Sequence, residues 1–222
     1  MPADRKATAT VPATVRVQVP TPFGIAWLDI DRPRAARALL ALGHGASGGV
    51  EAGDLLAVRD AAVAAGIAVA RVTQPYRVAG RRAPAPAGQL DQAWVAAMAA
   101  LRRRRGFGAL PFVQGGRSSG ARVACRTAND ADAVGVVVLA FPVHPPGRPE
   151  KTRLPELAVP RVPVLVVQGD RDAFGMPPAD AVSRLVVIAG ADHSLRKSHA
   201  EIAAAVVAFV DEVTGAEVAP GQ

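Results

Sequence analysis

The chain has 222 residues, half of them apolar and 4% aromatic, with a formal charge of +7. That length and apolar share suffice for one substantial core and favour a single domain, and no apolar run approaches the roughly 18 residues that a membrane span requires. One cysteine, Cys125, excludes an internal disulfide and a cysteine-based zinc site, which fits a cytoplasmic protein.

The first residues contain no apolar stretch of signal-peptide type, so nothing in them argues for export. The positive charge is almost all arginine and is scattered along the chain. Its one dense run, Arg102 to Arg105, falls at the end of a predicted helix, where cations complement the helix dipole, and it lacks the aromatic interleaving of a nucleic-acid surface. Neither nucleic acid nor a membrane is expected as a partner.

In chain order, residues 1–14 are polar and proline-broken and read as a flexible segment. TVRVQVP and GIAWLDI alternate with period two around a TPFG turn and predict an antiparallel hairpin. RALLALG is a continuous apolar strand running into a glycine-rich loop, HGASGG. DLLAVRDAAVAAG has helical periodicity closed by Gly66, and IAVARVTQP reads as a strand. Residues 76–88, rich in Arg, Pro and Gly, read as loop. LDQAWVAAMAALRRRR predicts a helix, ALPFVQGG a strand, SSGARVACRTA a helix and AVGVVVLAFP a strand. A proline-rich connection with room for one helical turn follows. VPVLVVQGDRD and SRLVVIAGADH are the last strands, HAEIAAAVVAFVDEVTG is the closing helix, and residues 215–222 read as a flexible tail. The expected fold is a single α/β domain over residues 15–214: a mostly parallel sheet with an N-terminal antiparallel hairpin and helices on both faces. In such sheets the working groups sit on loops at the carboxyl ends of strands.

Those loops carry the chemistry. Gly116-Arg117-Ser118-Ser119-Gly120 matches G-x-S-x-G between a predicted strand and a predicted helix. A serine on so sharp a turn needs small neighbours two residues away on each side, because strand and helix backbones approach closely there. Ser118 is the expected nucleophile, and the backbone N–H of Ser119, at the helix N-terminus, is an expected oxyanion donor. A serine nucleophile needs a base and an orienting acid. In the order Ser, acid, His, the next strand ends supply Asp170 and Asp172, then His193. Asp172 is the expected acid, lying further round its loop toward His193, with Asp170 shaping the turn or pairing with an arginine.

His44 opens the HGASGG loop, whose Ala46 N–H is the expected second oxyanion donor, and His44 itself is a candidate substrate contact; a generic glycine-rich turn is the plainer reading. His144, in HPPG, is a candidate for the pocket rim, although a rigid polyproline turn explains it as well. His199 reads as a surface or capping residue and Cys125 as a packed core thiol. Arg77, Arg81 and Arg82 either bind a carboxylate or phosphate of the substrate or are solvated loop residues. No metal or cofactor is expected. With no long insertion among the last elements, the pocket should be open.

GHGASGG, PYRVAGRRAPAP, GGRSSGARVA, HPPGRPEK, QGDRDAFG and GADHSL together resemble the small bacterial α/β-hydrolases of dienelactone-hydrolase-like type. That group also resembles the hydrolase-like subunit of a eukaryotic histone-acetyltransferase complex and a related testis-expressed protein. The resemblance runs over nearly the whole chain. It implies an α/β-hydrolase fold without a large cap domain and a triad of Ser118, Asp172 and His193. Dienelactone hydrolases carry cysteine at the nucleophile where this chain has serine, which argues against dienelactone as the substrate. The expected function is cleavage of a small ester or thioester through an acyl-enzyme. The alternative is a non-catalytic binding or scaffold protein that keeps the fold. Whether the chain forms a homodimer is left open.

Overall fold

The computed structural model describes residues 13–215; residues 1–12 and 216–222, which hold nearly all of the two expected flexible segments, lie outside the described residues. The alternating runs near the start form the expected hairpin. β1 (Val15–Thr21) pairs antiparallel with β2 (Gly24–Asp31), from Val15 opposite Ile30 to Thr21 opposite Gly24. Asp29 and Asp31 point into the protein from β2 and are almost fully buried. Arg16 grips Asp29 with two hydrogen bonds of 2.6 and 2.8 Å, while Arg59 and Arg71 lie 3.3 and 3.5 Å from Asp31. Part of the arginine excess is thus spent on pairing carboxylates that burial would otherwise penalise.

The remaining strands are β3 (Ala38–Gly43), β4 (Ile67–Thr73), β5 (Phe112–Arg117), β6 (Gly135–Leu139), β7 (Val164–Gly169) and β8 (Arg184–Ile188). They form one eight-stranded sheet in the order β1-β2-β4-β3-β5-β6-β7-β8. Only the β1–β2 and β2–β4 pairs are antiparallel. Every residue of β3 is buried, as expected for a strand covered on both faces.

The helices are α1 (Gly53–Ala64), α2 (Pro75–Val78), α3 (Ala87–Arg102), α4 (Ser119–Thr127), α5 (Leu154–Leu157) and α6 (His199–Thr214). Leu40 and Leu42 of β3 join the core formed with Leu55 and Val58 of α1 and Val206 and Phe209 of α6. The alternate residues Leu39 and Ala41 join Trp94 and Met98 of α3 on the other face. α4 packs Ala121, Ala124 and Cys125 against Val136, Val138 and Val166. Burial pushes the Cys125 thiol above its usual range, so it is an inert core group. No helix among the described residues is long and apolar enough to cross a membrane.

Three boundaries differ from the sequence expectation. The presumed loop 76–88 contains a short helix opened by Pro75 at its first position, where proline loses no intrahelical hydrogen bond. α3 starts at Ala87, after Pro86, and ends at Arg102, so Arg103 to Arg105 lie beyond it. A single 3-10 turn at Ala179–Ala181, unread in the sequence, precedes β8.

Gln114 is a polar residue inside an apolar strand and is fully buried. Its Oε1 accepts from Trp94 Nε1–H (2.8 Å), and its Nε2 donates to Ala124 O (2.7 Å) and Thr127 Oγ1 (3.0 Å). This amide pins α3 and α4 to β5 and leaves no polar atom stranded. The start of α4 presses directly on the end of β3: a Cβ on Gly120 would fall 2.5 Å from the carbonyl carbon and oxygen of Gly43. Gly120→Ala should therefore destabilise the protein by about 1–3 kcal/mol through overpacking, although helix propensity alone favours alanine by about 0.8–1 kcal/mol. Urea unfolding measures the sign; a raised midpoint would mean that the two backbones can move apart.

Candidate active site

Six segments at the carboxyl ends of β3, β4, β5, β6, β7 and β8 meet around a cavity of about 920 Å³. Its wall includes exposed residues such as Pro84, Ala87, Arg171 and Arg196, so it opens to solvent. Ser118 stands between β5 and α4 with φ 52° and ψ −109°, a left-handed conformation that costs a non-glycine residue on the order of 1–3 kcal/mol and persists only where its surroundings enforce it. The enforcement is visible. Ser118 N–H donates to Leu139 O at 2.9 Å, and a Cβ on Gly116 would lie 2.7 Å from Gly120 C and Gly43 O. Glycine at 116 and 120 lets strand, turn and helix close on one another, which lifts the Ser118 side chain into the cavity.

His193, after β8, meets that side chain. Its Nε2 lies 2.9 Å from Ser118 Oγ, and its Nδ1 lies 2.8 Å from Asp172 Oδ2. A carboxylate only accepts, so Nδ1 carries the proton and Nε2 is free to accept the Ser118 O–H. The Asp172 side chain is 1% exposed. Its Oδ2 also accepts from Gln168 Nε2–H at 2.8 Å and its Oδ1 from Phe174 N–H at 2.8 Å. Gln168 in turn accepts from Phe141 N–H at 2.8 Å and donates to Gly175 O at 2.8 Å, tying the end of β7 to the loop after β6. Phe174 packs its ring 4.2 Å from the His193 ring. Asp170, the other carboxylate of GDRD, is exposed, and its side chain makes no hydrogen bond or ion pair among the described residues.

A second grip holds the His193 loop. Arg117 Nη2 donates to His193 O at 2.8 Å, and its Nε sits 2.9 Å from Asp54 Oδ2 at the start of α1. Burial raises the Asp54 carboxyl above its usual range despite the Arg117 charge beside it. Gln168, Arg117 and Asp54 escaped the sequence reading. A glutamine closing the apolar run VLVVQ was the available signal for the first, since a buried amide demands partners.

On the opposite side of Ser118, the N–H of Ser119 is the first of α4 and has no intrahelical acceptor. Ala46 lines the same cavity; its carbonyl accepts from Tyr76 Oη–H at 3.2 Å, and its N–H has no acceptor among the described residues.

The remaining predicted contacts do not reach the cavity. His44 is buried behind the loop, where its Nδ1–H donates to Gly45 O at 2.8 Å and its Nε2 accepts from Gln74 N–H at 3.2 Å. His144 donates Nδ1–H to Pro145 O at 2.9 Å and packs on Gly175, buttressing the Asp172 loop from outside. α2 and the left-handed turn at Gly80 (φ 75°) carry Arg81 and Arg82 into solvent, and Arg77 stays beside His44 and Tyr76. His199 corrects the expectation in the other direction. It is half-buried and lines the cavity over Gly53, because α6 begins where α1 does.

The chain belongs to the α/β-hydrolase family: the model described as "Alpha/beta hydrolase domain" matches residues 36–212. No curated protein matches it. Among solved structures it is similar to an α/β serine hydrolase homologue from Coxiella burnetii, with TM-score 0.71, 18% identity and coverage of 91% of this chain and 100% of that one. It is likewise similar to a lidless α/β serine hydrolase from Xanthomonas campestris, XC6422 (TM-score 0.70, 20% identity, 90% and 94% covered). A dienelactone hydrolase from Anabaena variabilis gives TM-score 0.70, 19% identity and coverage of 90% and 95%. At these identities the likeness is one of fold, the α/β-hydrolase fold without a large cap.

Burial, against the pull of the Gly45 carbonyl, depresses the proton affinity of His44. Below about pH 6.5 the unfolded chain binds a proton that the folded chain resists, so the stability that the neutral ring contributes is full above that pH and lost as pH falls below it. His44→Gln, whose amide oxygen can accept the Gln74 N–H, should lose less stability between about pH 7 and about pH 5 than the wild type does. Urea midpoints across that interval check it; parallel curves would show that His44 does not titrate on unfolding.

Proposed function

We propose that the protein is a cofactor-independent serine hydrolase that cleaves a small ester or thioester through an acyl-enzyme. The observation that carries this reading is the unbroken line from Ser118 Oγ through His193 to Asp172, with steps of 2.9 and 2.8 Å, at a serine held at φ 52° beside a free helix N-terminus. A packing role for these residues needs neither the strained serine nor the aligned imidazole.

In the proposed cycle Ser118 Oγ attacks the substrate carbonyl carbon as its proton passes to His193 Nε2. Asp172 accepts the Nδ1–H throughout, which fixes the tautomer and stabilises the imidazolium. Negative charge gathers on the former carbonyl oxygen, and in this reading the N–H groups of Ser119 and Ala46, both lining the cavity, receive it; each such donor is worth about 10²–10³ in rate where it has been removed in other enzymes. The tetrahedral intermediate collapses, and the C–O or C–S bond breaks as the leaving alcohol or thiol takes the proton from His193. Water, deprotonated by the same imidazole, then attacks the Ser118 ester and releases the acid.

Ser118→Ala should lower turnover of a short activated ester by about 10⁴-fold or more while leaving the melting curve in place. A fluorophosphonate probe should label the wild type at Ser118 alone. Folded wild-type protein that neither hydrolyses an ester panel nor takes the label would favour a non-catalytic scaffold on the same fold.

A further inference from the structure

The cavity is lined by six arginines, Arg117, Arg122, Arg126, Arg153, Arg171 and Arg196, against two carboxylates, Asp54 and Asp192. Their circumstances differ. Arg117 is committed to Asp54 and the His193 carbonyl. Arg171 and Arg196 are exposed on the rim, where water and salt screen them. Arg122, Arg126 and Arg153 form a partly buried cluster along one wall.

Within that cluster the charges do not balance. Glu156 accepts from Arg122 Nε and Nη2 at 2.7 and 2.6 Å and from Arg126 Nη1 at 3.0 Å. Asp91 accepts from Arg126 Nε and Nη2 at 2.8 and 2.7 Å. Two carboxylates therefore stand against three guanidinium groups and pair with two of them. Arg153 is left over: no carboxylate among the described residues pairs with it, and its side chain has only a 3.5 Å contact with the His144 carbonyl, too long for a firm hydrogen bond. Arg122 Nη1 also has no hydrogen-bond acceptor among the described residues. Burial first, then the neighbouring Arg122, lowers the Arg153 proton affinity from its usual value. A cation held against like charges in a partly dry wall is unfavourable until an anion joins it.

The cluster has a fixed relation to the reacting serine. Arg122 and Arg126, four residues apart, share one face of α4, the helix that Ser118 precedes, and all three line the cavity. Arg122 N–H donates to Ser118 O at 3.2 Å, and one such step is a rise of about 6 Å.

We propose that Arg153, with the free edge of Arg122, forms a subsite for an oxyanion group of the substrate, a carboxylate or a phosphate, carried a few bonds from the scissile carbonyl. This rests on the hydrolase reading above and gives it a substrate class: anionic esters or thioesters rather than neutral ones. Planar guanidinium groups suit such anions because two N–H donors meet two oxygens at once.

Two measurements test the subsite, one of them independent of turnover. In the Ser118→Ala protein, glutarate and inorganic phosphate are titrated by calorimetry, with and without Arg153→Ala. At least one anion should bind, and Arg153→Ala should weaken it by about tenfold or more, with Arg153→Lys intermediate; which anion binds tells a carboxylate from a phosphate source. Equal binding with and without Arg153, or no binding of either anion, would overturn the subsite. In the wild type, the p-nitrophenyl hemiester of glutarate should have a kcat/KM about tenfold or more above that of p-nitrophenyl butyrate, and Arg153→Ala should collapse that ratio chiefly through KM. Turnover of butyrate without preference for the hemiester rejects the subsite and leaves the hydrolase. Anion binding lost with Arg153 in a protein that turns over neither ester keeps the subsite and rejects the hydrolase.

Discussion

The site depends on one close approach of backbones. The end of β3, the turn after β5 and the start of α4 touch at Gly43, Gly116 and Gly120, and a single methyl group on Gly116 or Gly120 would collide with main-chain atoms. Because these segments meet without side chains between them, the residue at the bend is driven to φ 52°. Packing of the whole sheet meets that strain; the serine alone could not sustain it. The same approach brings the loop after β3 alongside the first turn of α4, so that the N–H groups of Ala46 and Ser119 border one volume. Sheet packing and the placement of these two N–H groups are two results of one steric constraint.

The imidazole is held by comparable redundancy. Asp172 fixes one ring nitrogen and is itself gripped by Gln168 and by the turn at Phe174. Phe174 covers one side of the ring. Arg117 reaches from the residue before the serine to the His193 carbonyl, and Asp54 steadies Arg117 from the start of α1. The loop after β8, an exposed edge strand, is thereby braced by β5, β7 and α1. A histidine on an unbraced edge loop would sample many positions; here these three elements restrict it.

Arginine is used in three ways in this chain. At the hairpin it neutralises buried aspartates. On α4 it links the helix to Asp91 and to Glu156 of α5, which holds the proline-rich connection over the cavity wall. At Arg153 it remains without a carboxylate. The basic composition thus reflects internal pairing as much as surface charge, and Arg153, partly buried without a carboxylate, belongs to the cavity wall.

The sequence by itself determines the order of the strands and long helices, the parallel sheet behind its hairpin, the sharp turn at the serine and the identity of the three residues that meet there. These follow from local rules: period-two and helical patterns, glycine at two set distances from a serine, and the order in which strand ends present an acid and a histidine. Tertiary structure alone decides what surrounds them. His44, conspicuous beside its glycines, turns inward to Gln74, while His199, placed by helix position on the surface, lands over Gly53 because α1 and α6 start side by side. Arg81 and Arg82, readable in the sequence as an anion site or as solvated loop residues, stand in solvent; Arg122 and Arg153, far apart in the chain, share a wall. Backbone periodicity is encoded in a few neighbouring residues, but whether a charge is paired depends on side chains brought together from distant segments, and no local pattern carries that information.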